Sequence, residues 1–504
     1  MASSRKKVVN EIKDKANAFL ASRKNCNFLI ELHSTLMSSD VYEVLAGIQA
    51  INRVFHHLLQ NGDLYQPSSH YDEELTIEDK YKAWLHDQYV EIKSRLLELL
   101  QHDNQNVQEL ALCTLMRLVS GIGKDPLHPV DENIAYFPTE LLQDVLRQLL
   151  SEEKDLRPLI GRFQEFLEYN DVKFYTLKIL TKLMKLRKKK DLNDCFLHNL
   201  FALMSQIVLP KKPSKKFEAE TKLENNLIQS ENRPSFVLHY ITTSKKFSFL
   251  WLEFLKCKLP VGLYKKVLLM LHEHVLAHLQ NPLLLTDFLI DSYNVGGAIS
   301  LLALNSLFVL IQKYNLEYPD FYGKLYALLE PEVFHVKYKA RFFYLADIFL
   351  SSTHLPAYLV AAFIKRLARL ALSAPPHALL MVIPFIGNLL LRHPNLKILL
   401  NRENISCDVT SDPYIMEERD LTKCRAIESS LWEVKTLQNH WCPDVASKAK
   451  FINGPLPKME FDLSDLMIEK EVKRKIKDVP VAFDRPSGLF QRKEDKMEDI
   501  WILE

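Results

Sequence analysis

Glycine is scarce in this chain, with 12 in 504 residues. Tight hairpins, phosphate-cradling loops and close backbone approach all draw on glycine. Sheet-rich and nucleotide-cradling folds are therefore disfavoured, and helices joined by short polar turns are favoured. Net charge is scarce too: Lys and Arg total 65 against 63 Asp and Glu. No global field attracts a polyanion, so any nucleic-acid contact has to be local. The seven cysteines (Cys26, Cys113, Cys195, Cys257, Cys407, Cys424, Cys442) are scattered, odd in number and free of any CxxC pair. They read as reduced intracellular thiols, several of them core fillers. The N-terminal MASSRKKVVNEIKDKAN lacks the apolar run of a signal peptide, which argues against secretion.

Catalytic and cofactor signatures are largely missing, and no enzyme activity or cofactor is expected. SGIGKD at Ser120 lacks the GxxxxGK[ST] pattern and follows a helix instead of a strand, so it reads as a helix C-terminal turn. In LHEHVLAHL, His274 and His278 stand at i and i+4, a metal-compatible spacing. However, the HExxH pattern begun by His272 and Glu273 would need a second His where Leu276 stands. No nearby Cys or carboxylate pair completes a set, so helix histidines are the favoured reading. No GxSxG occurs.

Two uncharged runs, near 292–312 and 370–391, are long enough to cross about 30 Å of hydrocarbon. The first carries Asn294, Asn305, Ser306 and Gln312; the second carries Pro375, Pro376, Pro384, His377 and Asn388. Those groups suit buried helices whose backbone ends are paired internally. A multi-pass nuclear membrane protein is the alternative such runs leave open.

What is present is helical periodicity. Val8, Ile12, Ala16 and Leu20 recur at four-residue spacing, and amphipathic runs continue almost to residue 400. One local pattern returns at DVYEVLAGIQAINRVF (Asp40), NVQELALCTLMRLV (Asn106), DVKFYTLKILTKLM (Asp171) and HVKYKARFFYLADIFL (His335). LLELLQHDNQNVQELALCTLMRLV pairs two helices across an Asp/Asn turn in the manner of a HEAT-type unit. The expected fold is all-α: an irregular HEAT/armadillo-like α-solenoid in two helical blocks. The expected divisions are an N-terminal repeat region (1–210), a mobile polar linker (211–234) and a second domain (235–455). Within the second domain lie a core (252–400), a polar loop (401–424) and a closing helix (425–445). A tail, 456–504, is expected to order against a partner.

Basic clusters are local. Arg187, Lys188, Lys189 and Lys190, with Lys211, Lys212, Lys215 and Lys216, suit either a nuclear-import address or RNA phosphates, with a solvated linker as the equal alternative. On LPAYLVAAFIKRLARLAL, Leu359, Phe363, Leu367 and Leu370 share one face while Lys365, Arg366 and Arg369 gather on another. In NLEYPDFYGKLYALLEP, Tyr322, Leu325, Tyr326 and Leu329 fall at i, i+3, i+4 and i+7, with Phe321 beside them. Base stacking would need a basic groove, and Lys324 is the single basic residue in that helix. The aromatic stripe therefore reads as packing, with one wet edge available to a protein.

The run from Gly296 to Pro394, with NLEYPDFYGKLY and SSTHLPAYLVAAFIKRLARLAL in order, is similar to the CCAAT-binding-factor-type domain of the nucleolar complex protein family. SDPYIMEERD at Ser411 fills the place of that family's acidic DP-containing loop, and ESSLWEVKTLQNHWCPDV at Glu428 resembles its ending. The WCPDV at Trp441 departs from a Tyr-Pro or His-Pro ending. The resemblance is strongest from about Leu252 to Val445. It implies a non-enzymatic nucleolar assembly factor of the small-subunit processome. Such a factor pairs with nucleolar protein 14, contacts pre-rRNA weakly, and supports processing and export of the subunit. The expected partner surface lies around Tyr318, Phe321, Tyr322 and Tyr326 and along Arg366 and Arg369. A HEAT-type nuclear transport adaptor is the remaining alternative of the same architecture.

Overall fold

The computed structural model describes residues 2–65, 77–131, 133–186, 192–210, 225–229, 233–317, 320–335, 339–352, 354–401 and 411–463. All regular structure among them is helical. The chain divides into two compact units, residues 1–294 and 295–504.

The first unit holds α1 (Ala2–Ala21), α2 (Asn27–Thr35), α3 (Val41–Gln60), α4 (Ile77–Leu99), α5 (Gln105–Lys124), α6 (Thr139–Leu149), α7 (Arg157–Phe163), α8 (Asn170–Leu186), α9 (Asp194–Gln206), α10 (Tyr240–Leu255), α11 (Val261–Met270) and α12 (Thr286–Asn294). Asp40 and Asn104 start α3 and α5. Each side chain accepts from the backbone N–H two residues on, which satisfies one of the four orphan donors of the first turn. Along the chain each helix packs on the second one after it: α1 on α3 on α5 on α7 on α9, and α2 on α4 on α6 on α8 on α10. Two layers thus stack in chain order, which is the arrangement of a solenoid. The expected α4–turn–α5 pair is present, and SGIGKD is the last turn of α5, closed by the Asp125 N–H on the Gly121 carbonyl. On α3, Val44, Ile48, Ile51, Val54, Phe55 and Leu58 are buried. Each such side chain contributes about 1.5–3 kcal/mol of transfer free energy.

Packing does not stop at the polar segment. Asn170 N–H donates to the Asn225 carbonyl, and Asp171, 1% exposed, accepts from the backbone N–H of both Leu227 and Ile228. Asn226 donates to Phe236 O and Ser235 Oγ. Phe201 of α9 meets Trp251 and Phe254 of α10. Residues 235–294 therefore fold with the first unit, so the compact division falls between 294 and 295 and not at 211–234.

The second unit holds α13 (Gly297–Tyr314), α14 (Phe321–Ala327), α15 (Lys339–Phe349), α16 (Ala357–Ala371), α17 (Pro376–Arg392), α18 (Trp432–Thr436) and α19 (Pro443–Ala449). The two uncharged runs lie in α13 and α17. Among the described residues no helix is long and apolar enough to cross a membrane.

A strap closes the far side of α17. Asn388 acts as a backbone surrogate: its Nδ2 donates to Phe461 O at 2.9 Å, and its Oδ1 accepts from Phe461 N at 2.7 Å. Gly387 is needed there, since a Cβ would lie 2.8 Å from the Phe461 ring. Arg392 joins the strap to α15 through Glu460 and Asp347. The first part of the expected partner-ordered tail is thus ordered within its own unit, while 464–504 lies outside the described residues. Asn388→Ala removes both strap bonds, with an expected cost of about 1–3 kcal/mol. Faster trypsin cleavage after the exposed Lys458, at unchanged helix content, checks it; an unchanged cleavage rate would mean that packing alone holds the strap.

Candidate functional site

The charged groups of α16 converge with two segments that follow it in sequence, the DP loop at 411–416 and the Ser-Ser-Leu-Trp-Glu stretch at 429–433. Helix α16 is buried on nearly every side, from Leu359 to Ala371. Lys365 is 0% exposed, and a lysine at that depth requires acceptors. It has three: Ser430 O at 2.7 Å, Asp412 Oδ2 at 2.9 Å and Glu433 Oε1 at 2.6 Å.

One turn on, Arg369 donates to the same two carboxylates, with Nε 3.0 Å from Glu433 Oε1. Its guanidinium lies 4.9 Å from the Trp432 ring centroid, a cation–π contact. The Trp432 indole N–H in turn donates to Asp412 Oδ2 at 2.8 Å. Two cations and two carboxylates thus form a neutral, interlocked set.

Arg366 serves a neighbouring joint. Its Nε donates to Leu329 O at 2.8 Å and its Nη1 to Met416 O at 2.9 Å, with the guanidinium over the Tyr326 ring at 4.7 Å. Tyr326 shares a 2.8 Å hydrogen bond between its hydroxyl and that of Tyr414. Burial pushes both phenols above their ordinary range, so they stay neutral at any physiological pH, one donating to the other.

The two acids differ. Burial opposes ionisation of Asp412, but bonds from Ser429, Lys365 and Trp432 outweigh it and hold the carboxyl well below its usual range. Burial dominates at Glu433 and raises its carboxyl, opposed by the Lys365 bond, and its Oε2 has no hydrogen-bond partner. The geometry makes an electrostatic clamp that fixes a loop and a closing segment to one helix.

Phe321 and Tyr326 are 3% and 0% exposed and pack inward, Phe321 in a cluster with Phe308 and Phe349. Tyr322 donates its hydroxyl to Phe349 O. The aromatic stripe is packing, and its phenols find partners inside the chain instead of along a wet edge. Arg366 and Arg369 are turned to internal acceptors, so the strip expected to face a partner is occupied within the unit. Tyr318 lies outside the described residues, as do Arg187, Lys188, Lys189, Lys190, Lys211, Lys212, Lys215 and Lys216. His278 shares a hydrogen bond with the Tyr240 hydroxyl, and among the described residues no group of three or more His, Cys, Asp or Glu is arranged to hold a metal. Sequence reasoning missed Asp412, Trp432 and Glu433. The available signal was a lysine set between Ala361, Ala362, Ile364 and Ala368 on a helix whose other charges are both arginines, together with two acidic motifs lacking a stated counterion.

A second unit whose described regular structure is helical, closed by a buried acid–base clamp between α16 and a later Leu-Trp-Glu segment, defines the class. Residues 300–449 match the CBF/Mak21 family, and residues 2–190 match the helical repeats described as nucleolar complex protein 4-like, TPR repeats. The chain is 44% identical to the nucleolar complex protein 4 homolog of Gallus gallus over 97% of its own length and 98% of the relative's. It is 46% identical to homolog B of Xenopus laevis (96% and 94% covered) and 42% identical to the Homo sapiens homolog (94% of each). The chain belongs to the nucleolar complex protein 4 family, and its place is the nucleolus.

Proposed function

We propose that the chain is a non-enzymatic scaffold of small ribosomal subunit assembly. It acts in the small-subunit processome with nucleolar protein 14, and supports pre-rRNA processing, subunit maturation and export. Family membership over nearly the whole length supports a nucleolar assembly role. The observation that carries the scaffold reading is the clamp, which commits the α16 cations to rigidity and leaves binding to the outer rows of the unit. One such row is on α15, where Tyr344 and Ile348 stand one turn apart and are 56% and 36% exposed. Two large apolar groups in that setting suit the buried centre of a protein interface.

The test is salt-resistant affinity purification of the tagged full chain from nuclear extract, with and without RNase, read by mass spectrometry and RNA sequencing. Nucleolar protein 14 is expected to survive RNase while small-subunit precursor RNA is lost, and Tyr344→Ala with Ile348→Ala is expected to release it. Recovery of transport cargo alone, released by Ran-GTP, would replace the scaffold with an adaptor.

A further inference from the structure

The first unit carries a surface that the repeat fold does not use. Between the C-terminal halves of α3 and α5 lies a groove of about 490 Å³ whose walls present Arg53, His56 and Gln60 from α3, and Arg117 and Lys124 from α5. The spacings i, i+3, i+7 on α3 and i, i+7 on α5 put each set on one helix face. All five are exposed, and among the described residues Arg53, Arg117 and Lys124 take part in no ion pair. A second groove of about 540 Å³ adjoins it, sharing Leu59, Gln60 and Asp125, and adds His128 and Arg233. There the Arg233 Nη1 is buried with no hydrogen-bond partner. A guanidinium nitrogen left without an acceptor is costly unless something else supplies one.

Ordinary helix electrostatics do not account for this set. Cations in the last turn of a helix offset its partial negative end, which explains Lys124 in the closing turn of α5. Arg53 and Arg117 sit about two turns from their helix ends, beyond the reach of that effect. The two helix ends contribute about half a negative charge each, and Asp125 one more. Against these stand four full positive charges, so the grooves remain electropositive.

We propose that these grooves hold a phosphodiester backbone of RNA, bound without base readout. The chemistry selects a phosphate polymer over a protein segment. The apolar groups at the groove floor, Leu59 and Leu118, are only 4% and 3% exposed, so a docking helix would find almost nothing to bury. The wall offers cations and side-chain amides at intervals along two adjoining grooves, and no Phe, Tyr or Trp ring lines the first of them for a base to stack on. That the polymer is RNA rests on the nucleolar assembly role; the phosphate preference rests on the groove alone. Gly121 fixes the geometry, because a Cβ there would meet Leu59 Cδ1 at 2.8 Å.

Binding of the full chain to a fluorescent oligouridine, titrated at several salt concentrations, tests the proposal. With Arg53, Arg117 and Lys124 changed together to Ala, the slope of log K against log salt is expected to fall by about two to three, roughly one per lost phosphate contact. The same change at Lys258, Lys265 and Lys266 leaves it as in the unaltered chain. Circular dichroism melting confirms that the groove variant is folded, since all three side chains are exposed. An unchanged slope overturns the groove, as does binding of poly-glutamate in place of oligouridine. Nucleolar protein 14 recovered equally with the groove variant keeps failure of this inference separate from failure of the scaffold role.

Discussion

Lys365→Met is expected to lower the stability of the second unit by about 3–5 kcal/mol, the usual cost of breaking a buried ionic set by removing one partner. Methionine fills the stem volume, so the loss is electrostatic. Asp412 and Glu433 would then share Arg369 alone, and the Ser430 carbonyl would lose its 2.7 Å donor. Adding Glu433→Gln restores neutrality, leaving Arg369 with Asp412. Because the groups touch, the two changes should couple by roughly 1.5–3 kcal/mol, and the double variant should be more stable than the sum of the singles. Hydrogen exchange at α16 and at residues 429–436, with urea unfolding, measures this. Strict additivity would show that the four charges act independently and that no clamp exists.

The clamp also explains which parts of the site were legible. Local periodicity identified α16 and separated its leucine face from its cations. It did not identify what covers the cations, because Asp412 and Glu433 arrive from 47 and 68 residues later in the chain. A helix wheel takes uncovered charge as solvated. The aromatic stripe succeeded for the converse reason: Tyr322, Leu325, Tyr326 and Leu329 lie on one short helix, and a lone lysine there cannot form a phosphate groove. The α4–α5 pair was legible because Asn104 caps its own helix within two residues. The boundary at 211–234 was misplaced through composition, since a polar stretch marks low local apolar content but carries no information about a buried acceptor elsewhere. The groove cations of α3 and α5 went unremarked because they come from separate helices with no run of basic residues.

That buried acceptor is Asp171, and its removal is the second large effect. Asp171 stood in the recurring position that precedes Val, where Asp40 acts as an ordinary cap. Here the carboxylate is buried and both oxygens are in use: Oδ1 accepts from Val172 N at 2.8 Å and Leu227 N at 3.0 Å, and Oδ2 from Ile228 N at 3.0 Å. Burial pushes the carboxyl up while these bonds pull it down. Asp171→Ala leaves the Leu227 and Ile228 amides without their acceptor, at about 1–3 kcal/mol each, so a total loss near 2–6 kcal/mol is expected. Asp171→Asn keeps one acceptor oxygen but turns an NH2 toward a backbone N–H, and should cost about half as much. Both variants should speed hydrogen exchange at 225–229 and lower the thermal midpoint, Ala more than Asn. The Ser120 hydroxyl also holds Leu227 O, and Ile228 lies so close to Gly123 that a Cβ there would stand 2.2 Å from its Cδ1. A loosened 225–229 would therefore relax the end of α5, and if Asp171→Ala exchanged no faster there than the unaltered chain, these side contacts, not the carboxylate, would be what fastens the segment.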